Sequence, residues 1–187
     1  MIQQIFELRP FPGSNAPTNL RVTTRIERQS NLLTLRYSLK DSSSQVAIPP
    51  RVDPPQRKNN LWEETCFEFF VAKKPGLSDK PGFSTGYWEF NFAPSRHWNV
   101  YHFDSYRQGM KEESAFSHLP IDVSRIEDLL WLQAKIPLGK LRLGDLKIQI
   151  GITAVVKTKD GNVSYWARAH CGQQPDFHLR ESFLAGF

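Results

Sequence analysis

Apolar and polar residues alternate with period 2 through much of this chain, in short runs separated by proline, glycine and serine. The run 61–71, Leu-Trp-Glu-Glu-Thr-Cys-Phe-Glu-Phe-Phe-Val, reads as a central strand. Phe67, Phe69 and Val71 fall on one of its faces, and Cys66, Glu68 and Phe70 on the other. A carboxylate amid such apolar neighbours is costly to bury unpaired, so Glu68 must meet solvent, a partner or a ligand. The run 87–92 repeats the device, with Trp88, Phe90 and Phe92 opposed to Tyr87, Glu89 and Asn91. In 147–157 the apolar face is Ile148, Ile150, Ile152, Ala154 and Val156. Gln149, Gly151, Thr153 and Val155 face the other way, and the small Gly151 and Thr153 leave room above the sheet.

The same alternation predicts strands over 2–8, 20–27, 32–39, 46–48, 98–103, 129–136 and 163–169. Asp160-Gly161 supplies a tight turn for a last hairpin. Residues 72–86 read as a surface excursion, 106–120 as irregular, and 124–128 as one helical turn or a loop. Residues 137–144 read as a linker inside the fold, and 175–183 as a covering loop. The expectation is an all-β fold: a β-sandwich of jelly-roll type with nine or ten mostly antiparallel strands, forming a single domain over 1–187.

Composition narrows the function classes. The net charge is +5, but the basic residues are scattered; Arg57-Lys58 and Lys73-Lys74 read as solvated loop positions, so no nucleic-acid footprint is expected. No apolar span is long enough for a transmembrane helix, and residues 1–10 lack the pattern of a secretory signal. A cytoplasmic protein is expected, with Cys66 and Cys171 as reduced thiols.

The chemistry on offer is carboxylates with aromatic company. Glu68 and Glu89, if directly opposite on neighbouring strands, would stand about 5 Å apart, the separation of a retaining glycosidase. Alternatively each accepts hydrogen bonds from ligand hydroxyls or answers an arginine such as Arg168. Trp62 and Trp166 offer flat faces for the apolar side of a sugar ring. The histidines at 97, 102, 118, 170 and 178 show no zinc-helix spacing, and there is no paired Cys-x-x-Cys, so no metal is expected. Nucleophile elbows and glycine-rich nucleotide loops are absent, and Cys66 has no identifiable positive neighbour to activate it.

Three blocks carry a resemblance: Leu-Trp-Glu-Glu-Thr-Cys-Phe-Glu-Phe-Phe at 61–70, Tyr-Trp-Glu-Phe-Asn-Phe-Ala-Pro-Ser at 87–95, and Asp-Gly-Asn-Val-Ser-Tyr-Trp-Ala at 160–167 with Pro-Asp-Phe-His at 175–178. Over about residues 60–183 the chain resembles the DOMON-like proteins related to family 9 carbohydrate-binding modules. The resemblance implies a β-sandwich that binds sugars or, in a cytochrome branch, haem held by Met and His. It implies stacking tryptophans at Trp62 and Trp166, a binding glutamate at Glu68 and an amide at Asn91. Where the sugar modules carry an arginine two residues before that asparagine, this chain has Glu89. The expected function is therefore a non-catalytic module binding a carbohydrate or similar polyhydroxylated molecule without a cofactor. Its ligand would lie between Trp62 and Trp166, bonded by Glu68, Glu89, Asn91 and Arg168. The alternatives are a glycoside-acting enzyme using Glu68 and Glu89, and a haem-binding electron-transfer domain, for which Met110 lies in an irregular segment.

Overall fold

A computed structural model describes residues 2–76 and 86–187. The strands are β1 (Ile2–Pro10), β2 (Leu20–Gln29), β3 (Leu32–Asp41), β4 (Cys66–Lys73), β5 (Tyr87–Phe92), β6 (Trp98–Phe103), β7 (Lys111–Glu112), β8 (Ile121–Ile126), β9 (Leu129–Pro137), β10 (Ile148–Lys157), β11 (Val163–Ala167) and β12 (Ala185–Gly186). They pair antiparallel in the order β7-β6-β5-β4-β10-β11-β1-β2-β3-β9-β8, with β12 also on β10, and the sheet curls into a half-barrel. β1 makes the curl possible: residues 2–8 pair with β2, while Arg9 and Pro10 pair with β11. One strand thus belongs to both halves.

The all-β, antiparallel expectation holds, with more strands than anticipated. β7, β8 and β12 are additional, whereas the strand expected at 46–48 is only an isolated bridge between Val46 and Thr158. β8 runs through 121–126, where a helical turn or loop was expected to begin at 124. It joins β9 by the two residues Glu127 and Asp128, and Glu127 adopts φ 52°. Such turns favour Asn-Gly or Asp-Gly, and Glu-Asp carries no such signal. The central strand begins at Cys66, because residues 61–63 form a turn of 3-10 helix. A second 3-10 turn occupies 138–141 of the expected linker. Of the excursion expected over 72–86, residues 77–85 lie outside the described residues.

The core follows from the alternation. Register pairs Phe67 with Phe92, Phe69 with Phe90 and Val71 with Trp88, and on the other side Phe69 with Ile152 and Phe67 with Ala154. These inner faces meet Val22, Ile26, Leu35 and Leu39 of the opposite half in one apolar cluster. Fully burying each such side chain contributes about 1.5–3 kcal/mol. One polar bond crosses this layer: the Tyr37 hydroxyl, on β3, donates to the Glu68 backbone carbonyl at 2.6 Å.

Candidate ligand-binding site

The outer face of β4, β5, β6 and β10 carries the polar half of the pattern. Register sets Thr153, Glu68, Asn91 and Asn99 in one rung across four strands, and Gly151, Phe70, Glu89 and Tyr101 in the next. Asn91, not Glu89, is therefore directly opposite Glu68; the two glutamates are diagonal neighbours, with backbone positions farther apart than in the directly opposed pair entertained above. The room expected above Gly151 is occupied. A Cβ there would lie 3.0 Å from Phe183 Cδ1, so the glycine admits the Phe183 ring of the chain's tail.

Three segments build walls around this floor. The 3-10 turn at 61–63 buries Leu61 and presents Trp62, whose ring meets Tyr101 edge-on with centroids 5.8 Å apart. The loop after β6 brings Tyr106, Arg107 and Met110, and the tail brings Pro175, Asp176, Phe177 and His178. The two meet where Arg107 Nη2 donates to Asp176 Oδ1 at 3.0 Å and the Tyr106 hydroxyl donates to Asp176 Oδ2. Asp176 Oδ1 also accepts the His178 backbone N–H at 3.0 Å, which fixes the main chain at His178. Between these walls lies an open cleft of about 350 Å³, with Trp62, Glu68, Glu89, Arg107, Tyr165 and His178 in its lining. That volume is at the small end of the range for small-molecule sites.

Hydrogen bonds fix the floor. Thr153 Oγ1 donates to Glu68 Oε2 at 3.1 Å, and Asn91 Nδ2 donates to Glu89 Oε1 at 2.8 Å. Burial, then the neighbouring Glu89, push the Glu68 carboxyl well above the usual range despite the Thr153 bond and Arg107. Burial pushes Glu89 up to about 7, opposed by the Asn91 bond and by Arg107. His178 moves the other way: burial, then Arg107, lower it to about 4, so its ring is neutral at pH 7. Its 3.8 Å approach to Glu89 Oε2 would be an ion pair only if the ring were protonated. The neutral ring acts as a dipole. The Tyr87 hydroxyl accepts the Arg107 backbone N–H at 3.2 Å and lies 2.7 Å from His178 Nδ1. With Tyr87 donating to Nδ1, the imidazole proton is assigned to Nε2, facing Glu89.

Of the six residues expected at the site, Trp62, Glu68 and Glu89 line the cleft, and Asn91 supports Glu89 from the buried rung. Trp166 does not join them. It pairs with Ala154 on the inner face, packs in the core and donates from Nε1 to Ser164 Oγ at 2.9 Å. Arg168 lies past the end of β11, with its guanidinium 4.5 Å from the Phe6 ring centre, away from the cleft. Tyr165, one residue before Trp166, and Arg107 line the cleft in their place. Arg107, His178, Tyr165, Phe177 and Met110 also line the cleft, although His178 was weighed only for metal and Met110 only for haem; among the five, only Tyr165, paired with the outward Val155, had a register signal. Arg57, expected to be solvated, instead donates to Asn99 Oδ1 and to backbone carbonyls of Glu113 and Phe116. Cys66 is buried and Cys171 exposed, and both are free thiols. Among the described residues, no three His, Cys, Asp or Glu side chains gather closely enough to hold a metal ion, and no helix is long and apolar enough to cross a membrane.

No protein-family model matches the chain, and no curated protein matches it. Solved structures do. A protein from Bacteroides uniformis provisionally assigned as carbohydrate-binding superposes with a TM-score of 0.63 at 15% identity, covering 95% of this chain and 84% of that one. A family 9 carbohydrate-binding module from Caldicellulosiruptor kristjanssonii, solved with glucose, superposes with a TM-score of 0.50 at 10% identity, covering 87% and 74%. At these identities the likeness establishes a shared fold.

Proposed function

We propose that this protein binds a carbohydrate or similar polyhydroxylated small molecule in the cleft between Trp62 and Tyr165, without turning it over. The observation that carries the reading is the cleft itself: an acidic, hydrogen-bonding floor walled by aromatic rings on the outer face of the sheet. Rings accept the apolar face of a sugar, and fixed polar groups discriminate its hydroxyls. The shared fold with a module solved with glucose supports it. Calorimetric titration across a panel of mono- and oligosaccharides tests it, with binding expected to weaken about tenfold or more in Trp62→Ala; absence of binding to every sugar overturns it.

A glycosidase reading draws on Glu89, whose proton is held to about 7 as a general acid requires. Retaining hydrolysis also needs an ionised partner, and Glu68 is itself pushed toward the protonated form. Turnover of a chromogenic glycoside that disappears in Glu89→Gln would reverse this choice. Met110 and His178 do line the same cleft, which favours the haem reading more than the sequence did. Against it, His178 Nδ1 is engaged by Tyr87 and Nε2 faces Glu89. A Soret band in the purified protein would establish haem.

A further inference from the structure

Among the described residues the cleft gathers more carboxyl groups than cations, and this deepens the reading above, on which it rests. Three carboxyl groups, Glu68, Glu89 and Asp176, meet one cation, Arg107, and that cation is already bonded to Asp176 at 3.0 Å. His178 contributes no charge at neutral pH. Glu68 and Glu89 are only 3% and 4% exposed. Each uses one oxygen on a neutral donor, Thr153 or Asn91, and among the described residues the other oxygen accepts no hydrogen bond. Both side chains nevertheless line the opening.

Amides would accept bonds from sugar hydroxyls without the penalty of bringing two carboxyl groups together away from water. Carboxylates gain over amides when a positive charge arrives. Among the described residues lining the cleft only Arg107 is a cation, and Trp62, Tyr165 and Phe177 bring aromatic rings, whose faces attract cations.

We propose that the ligand brings the missing charge: the cleft takes an amino sugar or similar hydroxylated primary amine. Its ammonium sits against the free oxygens of Glu68 and Glu89, with an apolar ring face on Trp62. Burial pushes both carboxyls toward their protonated forms, so an arriving ammonium displaces their protons.

The test is calorimetric titration of the full chain near pH 6.5. Glucosamine, galactosamine and mannosamine are each compared with the neutral parent sugar, alongside N-acetylglucosamine and the hydroxyl-free cation cyclohexylammonium. At least one amine is expected to bind about tenfold or more tighter than its parent. It should release protons on binding, measured as a dependence of the heat on buffer ionisation, and the preference should vanish in Glu68→Gln and Glu89→Gln. Neutral sugars binding as well as the amines would overturn the charge inference and uphold sugar binding. Cyclohexylammonium matching the amino sugars would uphold the charge and overturn the polyhydroxylated ligand. Silence across the panel would overturn both. The comparison of wild-type ligands decides among these outcomes even if a variant fails to fold.

Discussion

The two halves of the sheet turn polar residues outward by the same alternation, with opposite results. On β2, β3 and β9 the outward charges stay in water. Arg36 bonds Glu27 at 2.9 Å and Gln133 at 2.6 Å, and Arg21 meets Glu7 at 3.0 Å with both side chains more than half exposed. On β4 and β5 the outward Glu68 and Glu89 are almost completely covered. The strands do not cause this difference. It comes from cover supplied over β4 and β5 by the loop after β6 and the tail. Exposed ion pairs contribute little because water already solvates them. Covered carboxyls change their proton affinity.

The largest expected effect concerns the apolar face that both halves share. Phe69→Ala, at a fully buried position, should cost about 3–5 kcal/mol in denaturant titrations. Next is the cover. Asp176→Ala frees Arg107 and Tyr106 together and should weaken ligand binding about tenfold while costing only about 1 kcal/mol of stability. If binding is unchanged, the cover is not part of the site.

The pH profile should also separate the two faces. Glu89 binds its proton more tightly folded than unfolded, so the stability it confers is complete below about 4.5 and is lost as pH rises through about 7. Glu68 acts in the same direction. His178 opposes them, since its contribution is complete above about 6.5 and is lost as pH falls toward about 4. The opposing trends offset one another in mildly acid solution. The unliganded protein should therefore lose stability between about pH 6.5 and 8, with Glu89 accounting for about 1 kcal/mol. Glu89→Gln should flatten this limb in melts across pH; an unchanged slope would mean that Glu89 titrates normally. The smallest effects belong to the open face and the displaced arginine. Arg36→Ala should cost about 0.2–1 kcal/mol, and Arg168→Ala should leave ligand affinity unchanged.

The floor of the cleft was legible because its strands have one apolar and one polar face, which puts Glu68, Glu89 and Asn91 on the same polar side. The position of Trp166 was legible too. Lys157 and Val163 flank the Asp-Gly turn, and counting back from that pair sets Trp166 opposite Ala154, already on the apolar face. Tyr165, paired with Val155, then faces the cleft. Arg107 and His178 were not legible. They come from segments without a period, and their place depends on Asp176 drawing two distant loops together. β8 was missed because a glutamate stands at the positive-φ turn position where glycine or asparagine usually announces a hairpin.

The Tyr37 hydroxyl, donating 2.6 Å to the main chain of Glu68, gives the opposite half of the molecule a mechanical hold on the acid. Losing that one oxygen would slacken the backbone beneath the carboxylate without touching any wall of the cleft. If the cleft binds as proposed, changes deep in the remote layer should retune it, and variants selected there for heat tolerance should be re-tested for ligand preference.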